Sequence, residues 1–257
     1  TVKVTETLDC GSYGWTEYAE YQSMDREEEA ADFYRRAGVL LAVLYVLGGN
    51  DFHAENIIAW REHPVLVDVE TLLLHRVRPF QTESTALWQA EAAGAQEILN
   101  DSVVRTGFLP MWKRRNQKGD LVEWGALTSV QEDFKNLPLI NGARLNVQDY
   151  QAELLEGFQE TYGLFLKHKE ELLGEASPLE LFRGCKFRFL IRSSQVYADM
   201  LQYVSQPQFL KSGLIYSLEI ERLAPAYLLY ALEEKLRELW NIFLSERDAL
   251  ERGDIPI

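Results

Sequence analysis

Asp51 and Asn56 stand five positions apart in Gly48-Gly-Asn-Asp-Phe-His-Ala-Glu-Asn56, and a short apolar run, Val65-Leu-Val67, ends on Asp68. These residue types suit phosphoryl transfer. An Asp can orient an attacking hydroxyl and accept its proton. An Asn carbonyl and a second carboxylate are hard oxygen ligands for Mg²⁺ on nucleotide phosphates. Ile57 to Trp60 and Val65 to Asp68 read as two strands joined by Arg61-Glu-His-Pro64, a hairpin that turns Asn56 and Asp68 back towards each other. Glu70 follows Asp68 by two residues, which on an extended segment places both carboxylates on one side. It could serve a second Mg²⁺, act as a base, or pair with Arg76 or Arg78. His53 inside the loop is either functional or a structural histidine bonded to the loop backbone.

Phosphoryl-transferring kinases use the same Asp-x4-Asn spacing, with a metal-binding Asp at the end of a following strand. An element must deliver that loop. Asp25-Arg-Glu-Glu-Glu29 puts acids in the first turn of a helix, where they favour the positive end of its dipole. Phe33, Ala37, Leu40, Leu41, Leu44 and Leu47 then recur at helical spacing, and Gly48-Gly49 stops the helix just before Asp51. The second half is almost wholly apolar and is predicted to be buried.

The block Asp51 to Thr71, with Asp-x-His-x-Glu-Asn followed by His-Pro-Val-Leu-Val-Asp-Val-Glu-Thr, resembles the dehydratase domain of class II (LanM-type) lanthipeptide synthetases. The resemblance continues through Tyr13-Gly-Trp15, Phe33 to Gly38, Asp101-Ser102, Arg105-Thr-Gly107, Leu109-Pro110, Arg188 to Tyr197 and Gly253-Asp-Ile-Pro256. It implies a divergent lipid-kinase-like fold: α+β, predominantly helical, a kinase-like catalytic lobe with helical additions. It implies phosphorylation of Ser and Thr in a precursor peptide with ATP and Mg²⁺, then elimination of the phosphate to leave dehydroamino acids. Asp51, His53, Asn56, Asp68 and Glu70 occupy the family's active-site positions. Asn56, Asp68 and Glu70 are the implied metal ligands, and Asn56 and Asp68 the implied nucleotide-side contacts.

Arg188 and Ser194 match an Arg and, six residues later, a Thr that the family associates with phosphate elimination; Ser keeps the hydroxyl. On a strand over Lys186 to Arg192, Arg188 and Arg192 point the same way, about 13 Å apart, and paired guanidinium groups suit a phosphate. The plain alternative is a helix cap beside surface ion pairs.

The resemblance also implies what lies elsewhere. Only Lys3 among the fifty residues before Asp51 is a lysine, and no Gly-x-Gly-x-x-Gly occurs there. A kinase needs a nucleotide Lys and a phosphate-covering loop. The chain is therefore expected to be one internal fragment of a dehydratase domain. Residues 1–80 would hold the catalytic helix, loop and metal hairpin, and 81–257 an activation-like and helical part. The nucleotide lobe and a zinc cyclase domain would lie outside it, and the remaining synthetase segments would be partners. Two readings stay open: a catalytic part, or a silent kinase-like module that binds peptide or another chain.

Composition narrows the classes. A net charge of −14, from 40 acids against 26 bases, argues against nucleic acid or anionic membrane as partner. No apolar run is long enough to span a membrane, and Thr1-Val-Lys-Val-Thr lacks a signal-peptide core. Cys10 and Cys185, far apart and without metal spacing, predict reduced thiols and a cytoplasmic setting.

Further along, Phe108 to Trp112 and Leu121 to Trp124 predict a hairpin whose tip, with Lys113, Arg114, Arg115 and Lys118, is basic. The tip reads as a solvated loop, with a substrate-phosphate contact as the sharper alternative. Thr82 to Asn100 enters a helix, and 135–146 reads as loop. Asn146 caps a long amphipathic helix from Val147 to Leu173. Pro178 starts a short helix, Ser193 or Ser194 starts another, short helices fill 207–226, and Tyr227 to Glu251 is the last long one.

Overall fold

The computed structural model describes residues 1–73, 98–99, 101–114, 120–129, 135–185, 194–224 and 237–256. The chain divides into two compact units, Thr1–Phe187 and Arg188–Ile257. The described elements are helices and two-stranded antiparallel sheets, an α+β mixture.

The first unit is built on helix α1, Glu27–Val46, which buries Phe33, Tyr34, Ala37, Leu40, Leu41 and Leu44. It stops where predicted. Gly48 takes φ +69°, and the Gly49 amide donates to the Leu44 carbonyl at 2.7 Å, the reversal that glycine permits at a helix end. Helix α2, Gln151–Lys167, lies against α1. The contact is backbone on backbone. A Cβ on Gly38 would sit 2.0 Å from the Leu154 carbonyl oxygen, and one on Gly157 would sit 1.9 Å from that of Arg35. Tyr34 closes one end, stacking on Tyr150 with ring centroids 4.9 Å apart and donating its hydroxyl to the Leu145 carbonyl at 2.7 Å.

Among the described residues the first unit also holds four hairpins. Strands β1, Thr7–Asp9, and β2, Gly14–Thr16, form the first, near the chain start. Strands β3, Ile57–Trp60, and β4, His63–Leu66, pair in the register Ile57↔Leu66 to Trp60↔His63. Strands β5, Met111–Arg114, and β6, Leu121–Trp124, form the expected hairpin, but β5 starts three residues later than expected and takes in Lys113 and Arg114, which the sequence places at the tip. Strands β7, Leu139–Ile140, and β8, Ala143–Arg144, occupy a stretch that the sequence marks as loop. Asn141 and Gly142 take φ +52° and +80°, the pair of positive values that a two-residue hairpin turn requires. The strands are too short for an alternation pattern to show.

The expected helix over Val147 to Leu173 is divided. A 3-10 turn, Val147–Tyr150, capped by the Asn146 side chain, leads into α2, and helix α3, Lys169–Leu173, follows a break at His168. Leu155 and Leu166 on α2 are exposed. The buried stripe is narrowed to the line that meets α1.

The second unit holds α4, Ser194–Val204, α5, Gly213–Ile220, and α6, Arg237–Glu251. Its core joins Tyr197, Val204, Ile220, Leu223, Phe243 and Leu250. The Tyr197 hydroxyl donates to the buried Glu246 carboxylate. The strand expected over Lys186 to Arg192, with Arg188 and Arg192, lies outside the described residues, as do nearly all of the expected 82–100 helix and the tip residues Arg115 and Lys118.

Candidate active site

The loop that α1 delivers, Gly49 to Asn56, is held by its alternate residues. Phe52 and Ala54 are buried, Asp51 and Glu55 are exposed, and His53 and Asn56 lie between. Phe52 enters the core, and its amide donates to the Thr106 carbonyl at 2.9 Å. Asp51 therefore sits on an anchored turn rather than a free loop. Its φ of +61° is in the left-handed region, which Asp and Asn tolerate better than other non-glycine residues. The Asn50 side-chain oxygen accepts the Asp51 amide at 2.9 Å.

Asn56 is bound at both ends. Its side-chain Nδ2 donates to the Asp51 carbonyl at 3.1 Å, and its own carbonyl accepts the Val67 amide at 3.0 Å. The first bond directs Nδ2 into the loop, and Oδ1 is the acceptor atom of that amide. The second extends the β3–β4 ladder by one step and sets Val67, the residue before Asp68, opposite Asn56. His53 Nδ1 accepts the Glu55 amide at 3.3 Å, which places the proton of a neutral ring on Nε2.

Beyond the hairpin the structure corrects the sequence reading. Strand β4 ends at Leu66, and Asp68 begins a turn in which its Oδ1 accepts the Glu70 amide at 3.1 Å. Asp68 and Glu70 are thus gathered by a turn, not by the two-residue alternation of an extended segment. The connection is also tighter than expected: Arg61 and Glu62 make the turn, with Arg61 at φ +48°, while His63 and Pro64 belong to β4. Arg76 and Arg78, the suggested partners of Glu70, lie outside the described residues.

The hairpin turn is fastened to α1. Arg61 Nη2 donates to Glu29 at 2.6 Å and to Asp25 at 2.9 Å, and Arg36 Nη1 donates to the Glu62 carbonyl at 2.6 Å. Glu29 also accepts the Asp25 and Arg26 amides, at 2.9 and 3.2 Å, at the start of α1. The Arg61 guanidinium, with those two amides, holds the Glu29 carboxyl down at about 2. A depressed carboxylate stabilises the fold above its ordinary value of 4.5 and loses that contribution as pH falls towards 2. Glu29→Gln is therefore expected to lower the unfolding midpoint at pH 7 and to flatten its fall between pH 4.5 and 2. Thermal unfolding across that range checks this.

The far side of the loop comes from residues that spacing around Asp51 does not reveal. The Arg105 guanidinium donates to the Tyr45 carbonyl at the end of α1 and lies over the Tyr45 ring. A cation there complements the negative end of the helix dipole. Ser102 caps the 3-10 turn Val103–Thr106 that presents the Thr106 carbonyl to Phe52. The Trp124 ring faces His53 at 5.8 Å between centroids, and Lys113 Nζ lies 3.0 Å from the Trp124 ring centroid. These residues lie some fifty or more positions from the loop, so only tertiary structure reveals them. Ser194 is the exposed first residue of α4.

A family model described as Domain of unknown function (DUF4135) matches residues 1–133 and 127–257. The chain belongs to that family. Among proteins similar to this DUF4135 chain is the lacticin 481/lactococcin biosynthesis protein LcnDR2 of Lactococcus lactis subsp. lactis. The two are 28% identical over 235 residues, which cover 80% of this chain and 24% of the relative. The chain thus spans about a quarter of that relative's length.

Among the described residues no three or more His, Cys, Asp or Glu side chains form a closed metal cage. An amide oxygen and carboxylates, the donor types of Asn56, Asp68 and Glu70, are hard ligands of the kind that Mg²⁺ takes alongside phosphate and water. No described helix is long and apolar enough to cross a membrane, and Cys10 and Cys185 are free and exposed.

Proposed function

We propose that this chain is the catalytic portion of a peptide dehydratase that phosphorylates Ser and Thr of a lanthipeptide precursor with ATP and then eliminates the phosphate. One observation supports the reading best: the bonds from Asn56 Nδ2 to the Asp51 carbonyl and from the Val67 amide to the Asn56 carbonyl, which tie the Asp51 loop to the segment that leads into Asp68. The 28% identity to a lacticin 481/lactococcin biosynthesis protein supports a precursor peptide as substrate. The kinase-like lobe and the ATP and Mg²⁺ requirement are part of the same proposal.

In the transfer step Asp51 accepts the proton of the Ser or Thr hydroxyl as its oxygen bonds to the γ-phosphorus and the bond to ADP breaks. Asn56, Asp68 and Glu70 would hold Mg²⁺, which would supply neutralisation of the phosphate oxygens. His53, with its proton on Nε2, is a hydrogen-bond donor for the substrate side. In the elimination step a base removes the Cα proton, the Cα–Cβ double bond forms, and phosphate departs with the Cβ–O electron pair. Charge builds on the departing phosphate, and Arg188 and Ser194 stabilise it there, where such donors contribute most.

If those two act only on departure, phosphate installation does not need them. In the full-length polypeptide Arg188→Ala is expected to accumulate peptide about 80 Da heavier per site, the mass of one phosphoryl group replacing a proton in the transfer. Ser194→Thr is expected to keep elimination, and Ser194→Ala to slow it. Mass spectrometry of the peptide decides. Unmodified peptide from Arg188→Ala would move that residue into the transfer step, and normal dehydration would make the pair structural.

A further inference from the structure

Transfer of a phosphoryl group calls for a cation on its oxygens besides the metal, and the Asp51–Asn56 loop contains no lysine or arginine. The structure brings one in from a distant strand. Lys113 lies on β5, diagonal to Trp124 on the paired strand β6, within reach for a long side chain. Its ammonium rests on the Trp124 ring at 3.0 Å from the centroid, and that ring faces His53 at 5.8 Å. Lys113, Trp124 and His53 thus form one continuous line into the loop.

The line is rigid. Trp124 packs onto Gly107, where a Cβ would meet the indole at 2.5 Å and the Phe52 carbonyl oxygen at 2.9 Å. The same segment ties to the loop through the Phe52 to Thr106 bond. A lysine on a mobile surface loop would have none of these constraints. Lys113 is exposed along its length, but the indole takes water from one side of the ammonium. This lost hydration pulls its pKa below the usual lysine range, while the nearby Asp51 carboxylate acts in the opposite direction. Asp51 is therefore within electrostatic range of Lys113.

We propose that Lys113 is a catalytic residue of the transfer step: its ammonium, seated on the Trp124 ring that faces His53, binds the oxygens of the terminal phosphate of the nucleotide. This rests on the phosphoryl-transfer reading above and extends it to a residue outside the loop. The arrangement matches the chemistry. A cation beside the base would neutralise a phosphate that otherwise repels the Asp51 carboxylate, and the indole face holds an ammonium without neutralising it. A carboxylate partner in place of the indole would cancel the charge.

The test uses the full-length polypeptide with precursor peptide, ATP and Mg²⁺. Lys113→Met is expected to slow phosphopeptide formation about 100-fold, the scale for losing one preorganised donor to developing charge. It is expected to weaken binding of a non-hydrolysable ATP analogue about 10-fold, a charge-assisted bond's worth, while ADP binding stays unchanged. Lys113→Arg is expected to recover part of the rate, and unchanged thermal unfolding in both variants separates chemistry from folding. Wild-type rates in Lys113→Met would overturn the proposal and leave the Asp51 reading standing. Normal phosphate installation with slowed consumption of phosphopeptide would also overturn it, by assigning Lys113 to the departing phosphate. Absence of phosphopeptide and of ADP formation in the wild type would remove the phosphoryl-transfer reading itself, and Lys113 with it.

Discussion

Asp51→Asn in the full-length polypeptide is expected to lower phosphopeptide formation about 1000-fold, within the range for losing a positioned base, with no change in the unfolding midpoint. The two halves of that expectation have different physical origins. Asn fits the left-handed backbone of φ +61° as well as Asp does. The bonds that shape the turn, from the Asp51 amide to Asn50 and from Asn56 Nδ2 to the Asp51 carbonyl, use the backbone of residue 51. The substitution leaves them intact. It removes the carboxylate's charge and with it the capacity to accept a proton. Asp51→Ala mixes the two effects, because a left-handed alanine costs about 1–2 kcal/mol. Rapid-quench mass spectrometry together with thermal unfolding checks both halves. A rate within a few-fold of wild type would leave the carboxylate without a part in the chemistry.

The largest structural effect is expected far from any chemistry. Gly38→Ala places a methyl group 2.0 Å from the Leu154 carbonyl oxygen, a contact with backbone that no rotamer change relieves. Helix α2 has to move away from α1, opening the packing around Phe33, Tyr34, Leu41 and Phe158. Overpacking of this kind costs about 3 kcal/mol, against about 1 kcal/mol gained from the better helix propensity of alanine. A net loss of about 2 kcal/mol or more is expected, read as a lower denaturation midpoint. Because α1 carries Asp51, activity is expected to fall at temperatures where the fold persists. Gly163→Ala, on the same helix α2 but with open space at its Cβ, is expected to be neutral or slightly stabilising. Equal stability of the Gly38 and Gly163 variants would show that the two helices do not pack as described.

These cases also show why the sequence reveals some of this molecule and not the rest. Helix α1, its glycine stop, the β3–β4 strands and the β5–β6 pair follow from periodicity and turn chemistry within windows of about twenty residues. The Asp51–Asn56 pairing belongs to the same local order. The turn at Asp68 does not follow from the apolar pattern, because its cause is a side-chain bond to the Glu70 amide, which competes with extended backbone without altering that pattern. The Asn141–Gly142 hairpin has strands of two residues each, too short for any period. Arg105 lies in a segment that carries the resemblance, but its bond to the Tyr45 carbonyl, like the contacts of Lys113 and Trp124, comes only with tertiary structure. The basic tip is a partial exception: the sequence offers a phosphate contact there, and the cation–indole geometry singles out Lys113.

The central claim is that the Asp51 loop and the Asp68 turn move a phosphoryl group onto the peptide before water is lost. The measurement that meets it most directly follows a labelled γ-phosphate. The full-length polypeptide is given precursor peptide, Mg²⁺ and ATP labelled at the γ-phosphate, and the peptide is sampled through the reaction. The account predicts label appearing transiently on Ser or Thr, then released as inorganic phosphate, one for each residue dehydrated. Dehydration without ATP, or with label that never passes through the peptide, would contradict it.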